Sequence, residues 1–495
     1  MSQPPTGLLV VAASTTRVDE PFFLRIKLLT EPYCADASCF SGSGGNSRPQ
    51  GRYNHSPRGI RYMDNTPPDW RGSLLLDGGD DYVGPTRLRR DEGVWGAFAG
   101  DQRPIVTVPQ IRFRSPGIHY IAVTDEESGV QGLSNPIVVS ADPPQERLYW
   151  GDLHSQTFFS DGLRCPEELY SFARDESFLD IFALADHSES LTDRQWDYFV
   201  AVTNDFYQPG RFVTLVGQEW TSREFGHRNV YYPGDGGPIL RCNDPFYGRL
   251  ENVYRAAREH GALVIPHHSA NATMGVDWSK GHDPLTERLV EIYSIWGNSE
   301  RPADQGNPRP VRMTGGEKKG QHVLDALARG YRFGFIGGGD IHDGRPGDEY
   351  HTLQEDVEPY QWLWRQGLMG VWALGLTREH IFRALWDRRV YATTNERIFL
   401  RVRVGGAPMG SEITWERSRE IPIEMEAASS LPFSHLEVVS NGDDVLGQPL
   451  DASEVSWSAQ LPAGSLPRYY YVRLTRADGE MAWSSPVWVE AGEPS

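Results

Sequence analysis

Residues that bind divalent metals recur along the middle of this chain, each time just after a run that reads as a strand. They are Asp152 and His154 in GDLHSQ, Asp186 and His187 in ALADHSE, Glu219 in LVGQEW, His267 and His268 in VIPHHSA, and Asp340 and His342 in GGGDIHDG. Imidazole together with carboxylate suits zinc, manganese or iron, and the lack of thiolate in the set argues against a purely structural zinc site. One His after a strand is ordinarily a satisfied polar residue, and one Asp-His pair is ordinarily a turn or cap. Repeated at the same architectural place in successive segments, they point to one site for two or three divalent ions. Such ions would acidify a water and polarise a carbonyl or phosphoryl oxygen, the chemistry of a metal-dependent hydrolase. Gly337-Gly338-Gly339 lacks the following Lys-Ser or Lys-Thr of a phosphate loop, and its glycines instead let the chain turn before Asp340. The absence of a GxSxG elbow weakens a serine-hydrolase reading.

Elements able to gather these residues are legible around them. Pro166-Glu167-Glu168 opens a helix, with Pro near its first position and acids in the first turn. FLDIFALADH and RFVTLVGQEW read as strands; Leu250 to His260 reads as a helix leading through Gly261 into the strand ALVIPHH. LVEIYS is a further strand, His322 to Arg329 a helix capped by Gly330 before YRFGFIGGGD, and Thr377 caps a closing helix to Arg388. Alternating helix and strand predicts a mostly parallel sheet, a distorted barrel of α/β class with the metal-binding residues on one rim. Short Val-, Ile- and Leu-rich runs before residue 145 and after 396 predict β-sandwiches at both ends. The expected division is therefore a β-sandwich over 1–145, the metal-bearing part over 146–395 and a second β-sandwich over 396–495. Residues 40–60, rich in Gly, Ser and Arg, read as a long loop.

A chain of 495 residues exceeds one hydrophobic core. Its net charge of −19 and pI near 5.2 disfavour nucleic acid and anionic lipid as partners. No run approaches the roughly 18 apolar residues that span a bilayer, and MSQPPTGLLVVAAS lacks a cationic n-region, so the expected location is cytoplasmic. The four cysteines form no CxxC pair; Cys34 and Cys39 are close enough to pair in an oxidising compartment. The expected partner is a small-molecule ester substrate, with homo-oligomerisation left open.

The segments GDLHSQTFFSDG, ALADHSE, GQEW, GHRNV, IPHH and GGGDIH resemble, in order, the motifs of the polymerase and histidinol phosphatase (PHP) superfamily. FARDESFLD, GRFVTLVGQEW, GHRNVYYP and RRVYATTNERI resemble its DUF3604 branch. The resemblance is dense over about 148–400. It implies a distorted (β/α)7 barrel holding up to three ions. It makes His154, Glu219 and Asp340 ligands of one ion, with Glu219 bridging to a second that His227 and His267 complete. His187, His342 and Asp161 would hold a third. Between His267 and His268 the motif order favours His267. One position departs: the superfamily's first motif is His-x-His, and Gln156 stands at its second His. A Gln carbonyl is a neutral, harder and weaker donor, shifting preference toward manganese or iron. Carbamate-insecticide hydrolases of that branch resemble this chain in carrying Gln there.

In the implied chemistry Glu219 fixes the spacing of two ions, and Asp340 or His342 relays a proton to the leaving group. Asp152 is a candidate to orient His154 through its free ring nitrogen, with Asp186 and His268 also just behind the ligands. Trp220, Arg223 and Arg345 flank ligand positions, and Tyr293 and Trp296 follow the strand containing Glu291, so these five are the substrate-binding candidates. Gln156 and the aromatic residues favour a carboxylic ester or carbamate; the superfamily as a whole favours a phosphoester. A rival of another class is a barrel that binds ligand without catalysis, and carbohydrate recognition by the flanking β regions is a third reading.

Overall fold

The computed structural model describes residues 4–30, 66–67, 69–92, 95–96, 103–162, 164–313, 315–342, 344–347, 364–416, 419–462 and 466–492. The loop expected over 40–60 and the pair Cys34 and Cys39 lie outside the described residues.

Near the N-terminus, period-two apolar patterning makes strands that bury one face. Along Ser73–Asp77, Leu74 and Leu76 are buried while Leu75 is 41% exposed. Gly7–Val11, Phe22–Leu29, Ile105–Phe113 and Tyr82–Val83 form one small sheet; Gln131–Leu133, Ala122–Asp125, Ser73–Asp77 and Arg87–Arg89 form a second. Between them lie Leu24, Ile26, Leu74, Ile111, Phe113 and Val123. Buried Lys27 ties this part to the next one through Glu176, 3.2 Å away.

The middle of the chain begins with β1 (Arg147–Asp152), β2 (Ile181–Ala183) and β3 (Val213–Trp220), which pair in parallel. Helices α1 (Pro166–Asp175) and α2 (Asp193–Asp205) make their crossovers. α1 buries Leu169, Tyr170, Phe172 and Ala173; α2 starts at a Thr192–Gln195 capping box. After β3 the direction reverses. β4 (Arg228–Tyr232) returns antiparallel to β3, and β5 (Leu263–Pro266) runs antiparallel to β4 after α3 (Leu250–His260), which Gly261 ends at φ 62°. β6 (Leu289–Ser294) and β7 (Gly334–Gly337) are parallel in a separate small sheet, with α4 (Val323–Ala328) between them in sequence. β8 (Leu368–Ala373) lies antiparallel to β1, and β9 (Val390–Thr393) antiparallel to β8, with α5 (Arg378–Trp386) between them in sequence.

The expected distorted (β/α)7 barrel of PHP type is thus not formed. Of the described residues 42% are in strands and 13% in helices, with five α-helices. A parallel neighbour needs a crossover of a dozen residues or more. Between β3 and β4 the sequence supplies only the short segment 221–227, so the strands close as a hairpin. Apolar strand runs beside helices fit either direction of pairing, and here much of the pairing is antiparallel.

The sheet also continues past residue 395. β9 pairs with Met481–Ser484, and the order proceeds through Arg468–Arg476, Ile421–Ser440 and Phe399–Val404 within one 15-stranded sheet. One core cluster accordingly runs from Leu148 and Trp220 to Val472 and Val489. Among the described residues no helix is long and apolar enough to cross a membrane.

Candidate metal centre

Past the end of β1 the chain stays extended between two neighbours. The Gln156 N–H donates to the Ile341 carbonyl and the Ala185 N–H to the Ser155 carbonyl, each at 2.9 Å. A parallel bridge joins His187 to Glu219. These contacts align the chain after β1, after β2, at the end of β3 and after β7. His227 enters from the β3–β4 hairpin, and His267 and His268 from the end of β5.

Glu219, 1% exposed, is the hub. Its Oε1 lies 2.7 Å from His227 Nδ1, 3.4 Å from His267 Nε2 and 3.5 Å from His187 Nδ1. Its Oε2 accepts from Gln156 Nε2 at 2.7 Å and lies 3.5 Å from His154 Nε2. Asp340 closes the other side, with Oδ1 3.4 Å from His154 Nε2 and Oδ2 3.7 Å from His267 Nδ1. At the open edge Asp161, its side chain 32% exposed, sits between His187 at 3.4 Å and His342 at 3.6 Å. Except for His154 and His267, these groups line a cleft of about 170 Å³, and His268, Met274, Met313 and Trp296 complete its described wall.

Two groups of donors are close enough together to hold a cation. His154, His267, Glu291 and Asp340 offer ligand atoms within 4.8 Å of one another, as do His227, His267 and His268. Both nitrogens of His267, Nδ1 of His268 and Oε1 of Gln156 are buried without a hydrogen-bond partner. Unpaired buried polar atoms are costly, and coordinated ions would give such atoms partners. Asp340 at φ 53° and His268 at φ 31° hold conformations that non-glycine residues rarely adopt. Such outliers concentrate at functional sites.

Charge follows the same geometry. Burial opposes ionisation of Glu219, yet the imidazoles of His187, His267, His154 and His227 hold its carboxyl well below the usual range. Asp340 is likewise lowered: against burial, His154, His267 and His342 favour its anion. Burial disfavours charge on His187, but Glu219 and Asp161 raise it to about 10. Burial, reinforced by His267 and His227, keeps the His268 ring neutral. Asp152 and Asp186 are pushed up to about 7 by burial, which backbone and side-chain hydrogen bonds only partly offset.

The structure brings together His154, Gln156, Asp161, His187, Glu219, His227, His267, Asp340 and His342, and it adds His268 to the lining. Asp186 supports from behind: it accepts from the Thr157 N–H and hydroxyl and from the Ser160 hydroxyl, fixing the loop between Gln156 and Asp161. Asp152 does not orient the His154 ring. It accepts the backbone N–H groups of His154 at 2.9 Å and Gly339 at 2.8 Å. The ring partner is Glu291, whose Oε2 lies 3.1 Å from His154 Nδ1. Glu291 was legible only as a single acid inside the apolar strand LVEIYS, and a fully buried carboxylate of that kind needs a partner.

Of the five substrate-binding candidates only Trp296 lines the cleft, its indole N–H donating to Asp340 Oδ2 at 2.5 Å. Trp220 is buried and donates to the Tyr247 carbonyl. The Tyr293 hydroxyl donates to the Arg365 carbonyl, Arg223 is exposed, and Arg345 is buried outside the cleft lining.

Relatives carry no assigned activity. An uncharacterised protein of Chlamydia pneumoniae is 28% identical over 405 residues, covering 78% of this chain and 64% of that protein. Others from Chlamydia muridarum and Chlamydia trachomatis serovar D are each 29% identical, over 81% and 78% of this chain. The chain spans only 64–66% of the length of these relatives. Among solved structures, Bacteroides uniformis β-glucuronidase 2, covalently bound to cyclophellitol-6-carboxylate aziridine, aligns at 9% identity with a TM-score of 0.16. That alignment covers 99% of this chain and 61% of that one, a likeness too low to carry an argument. One family model covers most of the cleft's residues, from His187 to His268 together with Asp340 and His342. It is DUF3604, described as a protein of unknown function, and it matches residues 163–300 and 325–421 of this chain.

Proposed function

We propose that the cleft binds two or three divalent ions (manganese, zinc or iron) and hydrolyses an ester-type bond in an uncharged small molecule, a carboxylic ester or a carbamate. The observation that carries this reading is the convergence on Glu219 of His154, Gln156, His187, His227 and His267, with Oε1 of Gln156 left without a hydrogen-bond partner. Bound ions would supply an acidified water and polarise the substrate oxygen.

The chain's own groups do the rest. Glu219 spans both halves of the cleft and fixes their spacing. Asp161, between His187 and His342 at the open edge, adds a carboxylate donor at the mouth of the cleft. Trp296 holds Asp340 in one orientation. Met274, Met313 and the Trp296 ring offer an apolar wall that excludes water and accepts a hydrocarbon or aryl portion.

The described lining contains Asp161, Glu219 and Asp340 but no Lys or Arg. A phosphoester dianion would therefore depend on the bound ions alone for its countercharge, whereas an uncharged ester needs none.

The test loads the protein separately with manganese, zinc and iron. Each form is assayed on nitrophenyl carboxylic ester, carbamate, phosphomonoester and phosphodiester substrates, beside chelated protein and His187→Ala. Turnover of the ester or carbamate, abolished by chelator and by the substitution, is expected. Turnover confined to phosphoesters would overturn the substrate class. Failure to retain any metal would overturn the hydrolase reading and favour a ligand-binding protein.

A further inference from the structure

Three imidazoles crowd the cleft where β5 ends. The ring centroids of His267 and His268 are 4.2 Å apart, those of His227 and His268 4.8 Å, and those of His227 and His267 5.6 Å. All three side chains are buried, and each offers a ring nitrogen within 4.8 Å of the other two. Nδ1 of His268 has no hydrogen-bond partner, and the nitrogens of His267 meet only the carboxylates of Glu219 and Asp340, at 3.4 and 3.7 Å. Rings that only packed would be expected to find donors or acceptors, because an unsatisfied interior nitrogen loses its hydration for nothing. His268 reaches this position from a backbone at φ 31° and lines the cleft directly. The rest of the lining mixes donors: Asp161, Asp340 and the unpartnered Oε1 of Gln156 supply oxygen, beside the imidazoles of His187 and His342. Imidazole suits zinc and other borderline ions, whereas carboxylate and carbonyl oxygens suit manganese or magnesium.

We propose that His268 is itself a ligand, completing with His227 and His267 a three-nitrogen site for a borderline ion such as zinc, while the mixed end, where Asp161 and Asp340 stand beside His187 and His342, takes a harder ion such as manganese. The cleft would then hold two different metals, with Glu219 between them. A three-imidazole site with one side open to the cleft also leaves a position for water or substrate. This rests on the metal-centre reading above.

The test equilibrates full-length protein with zinc and manganese together, removes free metal and measures bound content by elemental analysis. It also records the visible spectrum of the cobalt-loaded protein. The variants are His268→Ala and His268→Gln, with the exposed His260→Ala as control, and melting curves confirm that each is folded. Wild type and His260→Ala are expected to hold both metals. At least one folded His268 variant should lose one equivalent of zinc, or bind it more weakly than the roughly 10–100-fold cost of losing a mere supporting partner, and keep manganese. Its cobalt bands should change in intensity. Folded His268 variants with wild-type zinc content, affinity and cobalt spectrum would overturn the proposal while leaving the metal centre standing. A wild-type protein that binds no metal would instead overturn the centre, and this assignment with it.

Discussion

Replacing Glu291 by Gln isolates the one strong support that the His154 ring has. The carboxylate approaches Nδ1 with both oxygens, at 3.1 and 3.3 Å, and both residues are buried. Holding a proton on Nδ1 leaves Nε2 free to face Glu219 and Asp340, the side on which an ion would sit. Gln keeps the volume and an acceptor oxygen but removes the charge that makes Nε2 a better donor. Loss of such a partner typically weakens metal affinity 10–100-fold, about 1.4–2.7 kcal/mol. Calorimetric titration of metal-free Glu291→Gln with zinc should show that loss, with circular dichroism confirming the fold. Gly338→Ala approaches the same contact from the other side, because a Cβ there would stand 2.0 Å from Glu291 Oε2 and must push the carboxylate aside. If both variants bind zinc as tightly as wild type, Glu291 does not position His154 and the reasoning fails.

Trp296→Phe keeps the apolar wall but removes the donor to Asp340. A hydrogen bond to a charged group is worth roughly 1.5–3 kcal/mol, so turnover should fall about 10- to 100-fold while metal content measured by elemental analysis is unchanged. Gln156→His exchanges an amide for an imidazole beside Glu219 and should raise zinc retention relative to manganese in a competition dialysis; unchanged selectivity would mean that Gln156 does not face an ion. Glu176→Gln strands buried Lys27 and should cost roughly 3–5 kcal/mol in denaturant unfolding at neutral pH. Burial works against the Glu176 charge, but Lys27, Arg103 and Arg164 lower its carboxyl below the usual 4.5. Its contribution is therefore fully present above that value and is lost as pH falls through the folded-state one, so the gap between variant and wild type should close in acid. A gap that persists unchanged in acid would show that the charge is not what Glu176 contributes.

How far the sequence carried the reading can be judged from particular residues. Helices were legible wherever local rules suffice: Thr377 caps α5 by accepting from the His380 N–H, and Gly261 ends α3 in the left-handed region. Most candidate ligands were legible because metal-binding types recur after successive apolar runs; His227 was legible only through the family resemblance. His154, His187, Glu219, His227, His267, Asp340 and His342 do meet around one cleft. What the sequence by itself determined is thus local: which segments form helix or strand, and which side chains they end in. Strand direction is not local. A buried run such as VTLVGQEW satisfies its backbone in parallel on one side and antiparallel on the other, so tertiary structure alone decided that β3 joins β2 one way and β4 the other. The same holds for orientation within the site. Asp152 and Glu291 are both buried acids near His154, yet only the fold turns one toward its backbone and the other toward its ring, because that choice rests on strands 137 residues apart in sequence.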